Sequence, residues 1–118
     1  MDILRFEIPW PPSINHYYIH TASRVILSAS GKRYRRDVAL LLSSLRGSCG
    51  AEARLSLVIN AFPPDKRKRD LDNIIKAVQD ALQHAGVYAD DFQIDMLTVI
   101  RREPVPQGSL SIWISECS

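Results

Sequence analysis

Two carboxylates two residues apart, Asp70 and Asp72, follow directly on four cations, Lys66, Arg67, Lys68 and Arg69, and a third acid, Asp91, stands beside Asp90. Carboxylate oxygens suit Mg²⁺ and Mn²⁺, and Mg²⁺ commonly takes only one or two of them, filling its shell with water and substrate phosphate. An ion held there can stabilise charge on the attacking or leaving oxygen of a phosphodiester. Lys76 lies four residues after Asp72, so the pair would share a helix face, where the ammonium can hold a phosphate or the leaving oxygen. Lys and Arg dominate contacts to nucleic-acid backbones, so the cationic run suits phosphates flanking the scissile one. Plainer readings stay open. Asp70 and Asp72 fit an N-cap and a first-turn acid, Asp72, Lys76 and Asp80 fit an exposed ladder, and Asp90 and Asp91 fit a polar turn.

Helix geometry constrains a three-carboxylate site. About 14 helical residues separate Asp72 from Ala85, roughly 20 Å at ~1.5 Å each, with Asp70 and Asp91 flanking that helix at opposite ends. Either the segment 86–91 folds back, or Asp91 comes from a second subunit. A site shared within a two-fold dimer is the favoured expectation, because a junction of approximate two-fold symmetry needs two cuts.

Further candidates lie upstream. Lys32, Arg33, Arg35 and Arg36 crowd the first turns of a predicted helix, against its dipole, which suits a phosphate partner; a later helix start or compensation by Asp37 would remove the anomaly. The loop Asn15, His16, Tyr17, Tyr18, Ile19 and His20 can stack rings on unpaired bases, unless both tyrosines pack beneath the proline-rich turn. Trp10 and Trp113 read as core, and His84 as a surface residue late in a helix.

The positioning elements follow from periodicity. Alternation marks a strand over 2–8, stopped by Pro9, Pro11 and Pro12. Val25 to Leu27 is a short strand. Ser28 or Ser30 caps a helix with the stripe Tyr34, Val38, Leu41, Leu42 and Leu45, closed by Gly47. Residues 54–62 form a central strand ended by Pro63 and Pro64. A second helix starts near Asp70 or Asp72, buries Ile74, Ile75, Val78, Leu82 and Ala85, and ends at Gly86. A strand over 92–101 and, after the loop Glu103 to Gly108, a last strand in which Leu110, Ile112 and Ile114 alternate with Ser111, Trp113 and Ser115 are expected to pair as a hairpin. The expected architecture is α/β (α+β), two-layered, with two main helices on a mixed sheet of about five strands in the order β-β-α-β-α-β-β, as one domain over residues 1–118.

At 118 residues, 46% hydrophobic and 24% charged, the chain is an ordinary single domain able to bury a core. A net charge of +2 excludes a global basic field, so nucleic-acid affinity must come from local clusters. Cys49 and Cys117 lack metal-site spacing. No signal peptide or bilayer-length apolar run is visible, so a soluble, cytoplasmic protein with free thiols is expected, without membrane partner or small-molecule substrate.

Several motifs resemble the RusA family of Holliday-junction resolvases of bacteria and prophages. They are Pro9-Trp10-Pro11-Pro12-Ser13 with Asn15, Gly31 with Tyr34-Arg35, the core Arg69-Asp70-Leu71-Asp72-Asn73 with Lys76, Asp80-Ala81-Leu82, Ala85-Gly86-Val87, and Asp90-Asp91. The core string is the specific part. Ile14 and His16 depart from the more polar or basic opening loop of other members. The resemblance implies a homodimeric, divalent-cation-dependent endonuclease that nicks four-way junctions symmetrically, leaving 5′-phosphate and 3′-hydroxyl ends. It implies essential aspartates at Asp70, Asp72 and Asp91, a functional lysine at Lys76 and a supporting basic residue at Arg69. The expected DNA contacts are Asn15, Tyr17, Lys32, Arg35, Lys66, Arg67, Lys68, Arg69 and Lys76. Alternatives are a flap nuclease on the same site, a junction-binding module without cleavage, and a structural phage protein.

Overall fold

The computed structural model describes residues 3–117. Strand β1 (Leu4–Ile8) leads through the prolines into a one-turn helix α1 (Ile14–Tyr17) and the ribbon β2 (Tyr18–His20) with β3 (Val25–Leu27). Helix α2 (Ala29–Leu41), β4 (Leu55–Phe62), α3 (Asp72–Ala85), β5 (Ile94–Arg101) and β6 (Ser109–Glu116) complete the chain, with 3₁₀ turns at Ser43–Leu45 and Asp91–Gln93. The fold is α+β with a mixed sheet, as expected. However, the main sheet has four strands, ordered β1-β6-β4-β5, and β2-β3 form a separate ribbon. No helix among the described residues is long and apolar enough to cross a membrane, and Cys49 and Cys117 are free.

The expected β5–β6 hairpin does not form. β5 pairs parallel with β4, as in a crossover unit carried by α3, while β6 runs antiparallel between β4 and β1. The intervening loop explains this. Arg102 N–H donates to Ala61 O at 2.8 Å and Val105 N–H to Pro63 O at 2.9 Å. The chain thus crosses the end of β4, and Gln107 and Gly108, both at positive φ, turn it down the far side.

Leu55, Leu57, Ile59 and Ala61 of β4 and Leu110, Ile112 and Ile114 of β6 form one buried face. Helix α3 covers it with Ile74, Ala77, Val78, Ala81, Leu82 and Ala85. Each large side chain fully buried there contributes about 1.5–3 kcal/mol, so α3 is held mainly by packing. On the opposite face Arg5 stacks over Trp113 at 4.8 Å and Met96 is exposed.

Helix α2 buries Gly31, Tyr34 and Val38. Ser28 is its cap, accepting from Gly31 N–H at 3.0 Å, while Ser30 donates to His16 O at 2.8 Å and ties α2 to α1. Leu41, expected in the stripe, is exposed, because the helix ends there and Leu42 turns inward instead. Gly47, at φ 77°, lies past the 3₁₀ turn rather than at the helix end.

Candidate active site

Helix α3 presents Asp72, Ile75, Lys76, Gln79 and Asp80 on one face, and Asp91 joins them around one open groove of about 430 Å³. The helix begins at Asp72 behind Leu71, and no side chain caps it. Asp72 sits in the first turn as that reading had it, but Asp70 makes no cap, so neither carboxylate is tied to the helix start by a capping hydrogen bond. Gly86, at φ 78°, stops the helix and reverses the chain, with Val87 N–H donating to Leu82 O at 3.2 Å.

The return of Asp91 is built by several hydrogen bonds. Tyr88 is buried. Its hydroxyl lies 3.0 Å from Gln79 O and 2.7 Å from Asp91 Oδ1. Asp91 N–H donates to Gln83 Oε1 at 3.0 Å. Asp90 caps the short turn, accepting from Phe92 N–H at 2.9 Å, and Gln93 answers as a capping box. Gln93 is buried with every polar atom engaged: its Oε1 accepts from Ala89 and Asp90 N–H, and its Nε2 donates to Gly50 and Ala53 carbonyls. Asp90 is thus a structural cap that sets the position of its neighbour. Of the two arrangements open to the sequence, the folded-back segment brings Asp91 into the same groove as Asp72 within one chain.

Asp70 does not join them. Residues two apart around a helix start point to different sides, and Asp70 faces a second cavity of about 380 Å³ with Trp10, His16, Arg67, Arg69 and Asn73. Among the described residues, no three acidic, histidine or cysteine side chains stand close enough in one chain to hold a metal ion. The groove nonetheless gathers three carboxylates, Asp72, Asp80 and Asp91, whose charge a cation would offset. Burial, reinforced by the charges of Asp80 and Asp90, raises the Asp91 carboxyl above its ordinary value, against the opposing pull of the Tyr88 hydroxyl.

Tyr17 corrects the expectation of an exposed stacking ring. It is fully buried, and its hydroxyl donates to Asp80. Burial first, then the Asp80 carboxylate, pushes its phenol well above the usual range. Tyr18 is the ring that reaches the groove, with Lys76 Nζ 5.5 Å from its centroid. Asn15 and Lys32 are exposed. Arg35 is less free than its position implies: Nε lies 3.4 Å from Asp80 Oδ2 and Nη2 2.7 Å from His84 Nδ1.

The cationic run forms a cleft. Lys66, Arg67 and Lys68 are exposed, and they line it with Arg69, Arg101 and Arg102. Arg69 Nη1 donates to Asp65 Oδ1 at 2.7 Å. That bond, with the Arg67 N–H, holds the Asp65 carboxyl down at about 2. Arg101 donates to Arg69 O at 2.8 Å. Arg101 and Arg102 escaped sequence reasoning because the first ends a strand pattern and the second follows it, where a cation reads as an ordinary strand end. Gln93 and Tyr88 escaped it too, although the Asp90-x-x-Gln93 spacing carries a capping-box signal.

A groove of carboxylates and a lysine, with a basic cleft built by the segment that leads into the same helix, has the character of a surface that handles phosphodiesters. Residues 9–112 match the family model Endodeoxyribonuclease RusA. The chain is 41% identical over 116 residues to the crossover junction endodeoxyribonuclease rusA of Enterobacteria phage HK97. It is 37% identical to that of Escherichia coli strain K12 and 36% to that of Shigella sonnei strain Ss046. Each alignment covers 98% of this chain and 97% of the relative. The chain belongs to the RusA family of endodeoxyribonucleases.

Proposed function

We propose that the protein is a structure-specific endodeoxyribonuclease that resolves four-way DNA junctions in recombination and repair, by symmetric, divalent-metal-dependent hydrolysis. The observation that carries this reading is the joint lining of one groove by Asp72, Lys76 and Asp91 in a chain whose near full-length relatives are named crossover junction endodeoxyribonucleases. Two carboxylates in an open groove fit Mg²⁺, which keeps waters and takes substrate phosphate for the rest of its shell. Asp72 and Asp91 would hold the ion, with Asp70 as the third acid. When bound, the ion supplies positive charge for the attacking and leaving oxygens. Lys76 neutralises the scissile phosphate from the same helix face, and the cleft of Lys66, Arg67, Lys68 and Arg69 binds flanking phosphates. Asn15 and Lys32, both exposed, would add DNA contacts outside that cleft. Because Asp70 faces away from the groove in its own chain, a homodimer remains the favoured assembly: it offers two grooves to opposed strands and a second source for the third acid.

The deciding experiment is incubation of a labelled synthetic four-way junction and a linear duplex with and without Mg²⁺. Paired nicks in opposed arms of the junction are expected, only with metal; equal cutting of the duplex overturns the reading. A separate check addresses the cleft. Arg69→Ala should flatten the salt dependence of junction binding by about one phosphate contact, read by titration at several salt concentrations. An unchanged slope would remove Arg69 from the DNA track.

A further inference from the structure

Lys76 does not hang free in the groove. Its ammonium lies over the Tyr18 ring, 5.5 Å from the centroid, and among the described residues no carboxylate comes within ion-pair distance of it. Asp72, four residues earlier on the same face, would be the ordinary partner of such a lysine. The ring takes that place instead, and among the described residues neither the ammonium nor the Asp72 carboxylate is in an ion pair.

Tyr18 is itself fixed from behind. Its ring meets that of Tyr17 edge-on at 4.8 Å and 74°. Tyr17 packs edge-on against Tyr34 of α2 at 6.4 Å and donates its hydroxyl to Asp80 of α3. Arg35 of α2 approaches that same carboxylate at 3.4 Å and holds His84 at 2.7 Å. Three helices thus meet in one polar and aromatic clamp, and the ring of Tyr18 is the part that faces the groove.

We propose that Tyr18 is the positioning residue of Lys76: its ring face, held by the clamp of Tyr17, Asp80 and Arg35, keeps the ammonium in the groove that Asp72 and Asp91 line. A long flexible lysine otherwise samples many rotamers and has to be ordered at each turnover. An aromatic face attracts the cation through its quadrupole without neutralising it. The lysine therefore arrives pre-placed yet still charged, which an ion pair with Asp72 would not allow. This inference rests on the nuclease reading and adds to it a residue that acts only through Lys76.

The stack is read first without metal or DNA. Reductive methylation with ¹³C-formaldehyde labels Lys32, Lys66, Lys68 and Lys76 together with the α-amine, and Lys76→Arg identifies the Lys76 signal. Ring current should move that signal upfield of the other three lysines. The displacement should vanish in Tyr18→Leu and persist in Tyr18→Phe. A Lys76 signal coinciding with the others in the unmutated protein overturns the proposal, whatever the variants do.

Cleavage supplies the second reading. Tyr18→Leu should lower kcat on the four-way junction by about tenfold with little change in junction affinity, and Tyr18→Phe should recover most of the rate. Added to Lys76→Ala, Tyr18→Leu should cost nothing further, since the residue it positions is gone. A further loss in the double variant, or a Tyr18→Leu defect carried by affinity, would make the ring a direct DNA contact and sink the proposal. Full activity in Tyr18→Leu would sink it too. Absence of junction cutting by the unmutated protein would instead strike the nuclease reading itself, a result distinguishable from every variant outcome.

Discussion

Asp72→Asn should lower junction cleavage in Mg²⁺ by about 10³-fold, equivalent to about 4 kcal/mol of transition-state stabilisation, while junction affinity holds or tightens. The two effects have opposite signs for one physical reason. The carboxylate is a proposed ligand for the ion, so the amide costs rate. It is also a negative charge in a groove meant for phosphate, shared with Asp80 and Asp91, so without the ion its removal relieves repulsion. Single-turnover cleavage and metal-free binding titrations measure the two separately. Normal cutting by the variant would show that Asp72 holds no essential ion, and weakened binding would place it among the DNA contacts.

Gly31→Ala should destabilise the protein by about 3 kcal/mol, lowering its thermal midpoint by roughly 10 °C. Helix propensity alone argues the reverse, since alanine gains about 1 kcal/mol over glycine within a helix. Sterics win. A Cβ at Gly31 would stand 2.4 Å from the backbone oxygen of Tyr17 and 2.9 Å from Leu27 Cδ1. The leucine can shift, but the carbonyl is pinned, accepting from Ser28 N–H at 2.9 Å. Accommodating the methyl moves α2 off α1 and carries Tyr17 and Tyr18 with it. Gly50→Ala, whose Cβ would meet nothing within 4 Å, is the control and should leave the midpoint nearly unchanged. Equal midpoints for the two variants would show that the α1–α2 contact yields easily.

Local chemistry was readable in the chain, and strand neighbours were not. Ser28 as a cap, Gly86 as a left-handed stop and the apolar stripe of α3 each follow from residues within one or two turns, and the structure has all three. The order of strands depends on where a seven-residue loop attaches. The alternation of Leu110, Ile112 and Ile114 assigns a face to β6 but cannot say that it lies beside β1 and β4 rather than β5. The site divides in the same way. Asp72 and Lys76 share a face because helical geometry requires it. Asp91 reaches them through Tyr88, Gln83 and Gln93, polar residues whose partners lie up to about forty positions away. Tyr17 and Tyr18 are adjacent and chemically identical. Only the packing of α1 decides that one is sealed in and the other faces the groove.

The seat of β6 between β1 and β4 bears on how the protein is made. On the ribosome, the first strand emerges about a hundred residues before β6, its partner among the described residues, so Leu4 cannot meet Ile114 until that strand has been made. Until then β4 offers a bare apolar edge, the kind of surface that recruits other chains, and the long separation of paired residues slows closure. A translating polypeptide halted before Ser109 would already carry Asp70, Asp72, Lys76 and Asp91, with only half a sheet beneath them. The groove gains its full support only when β6 slides into the gap between β1 and β4.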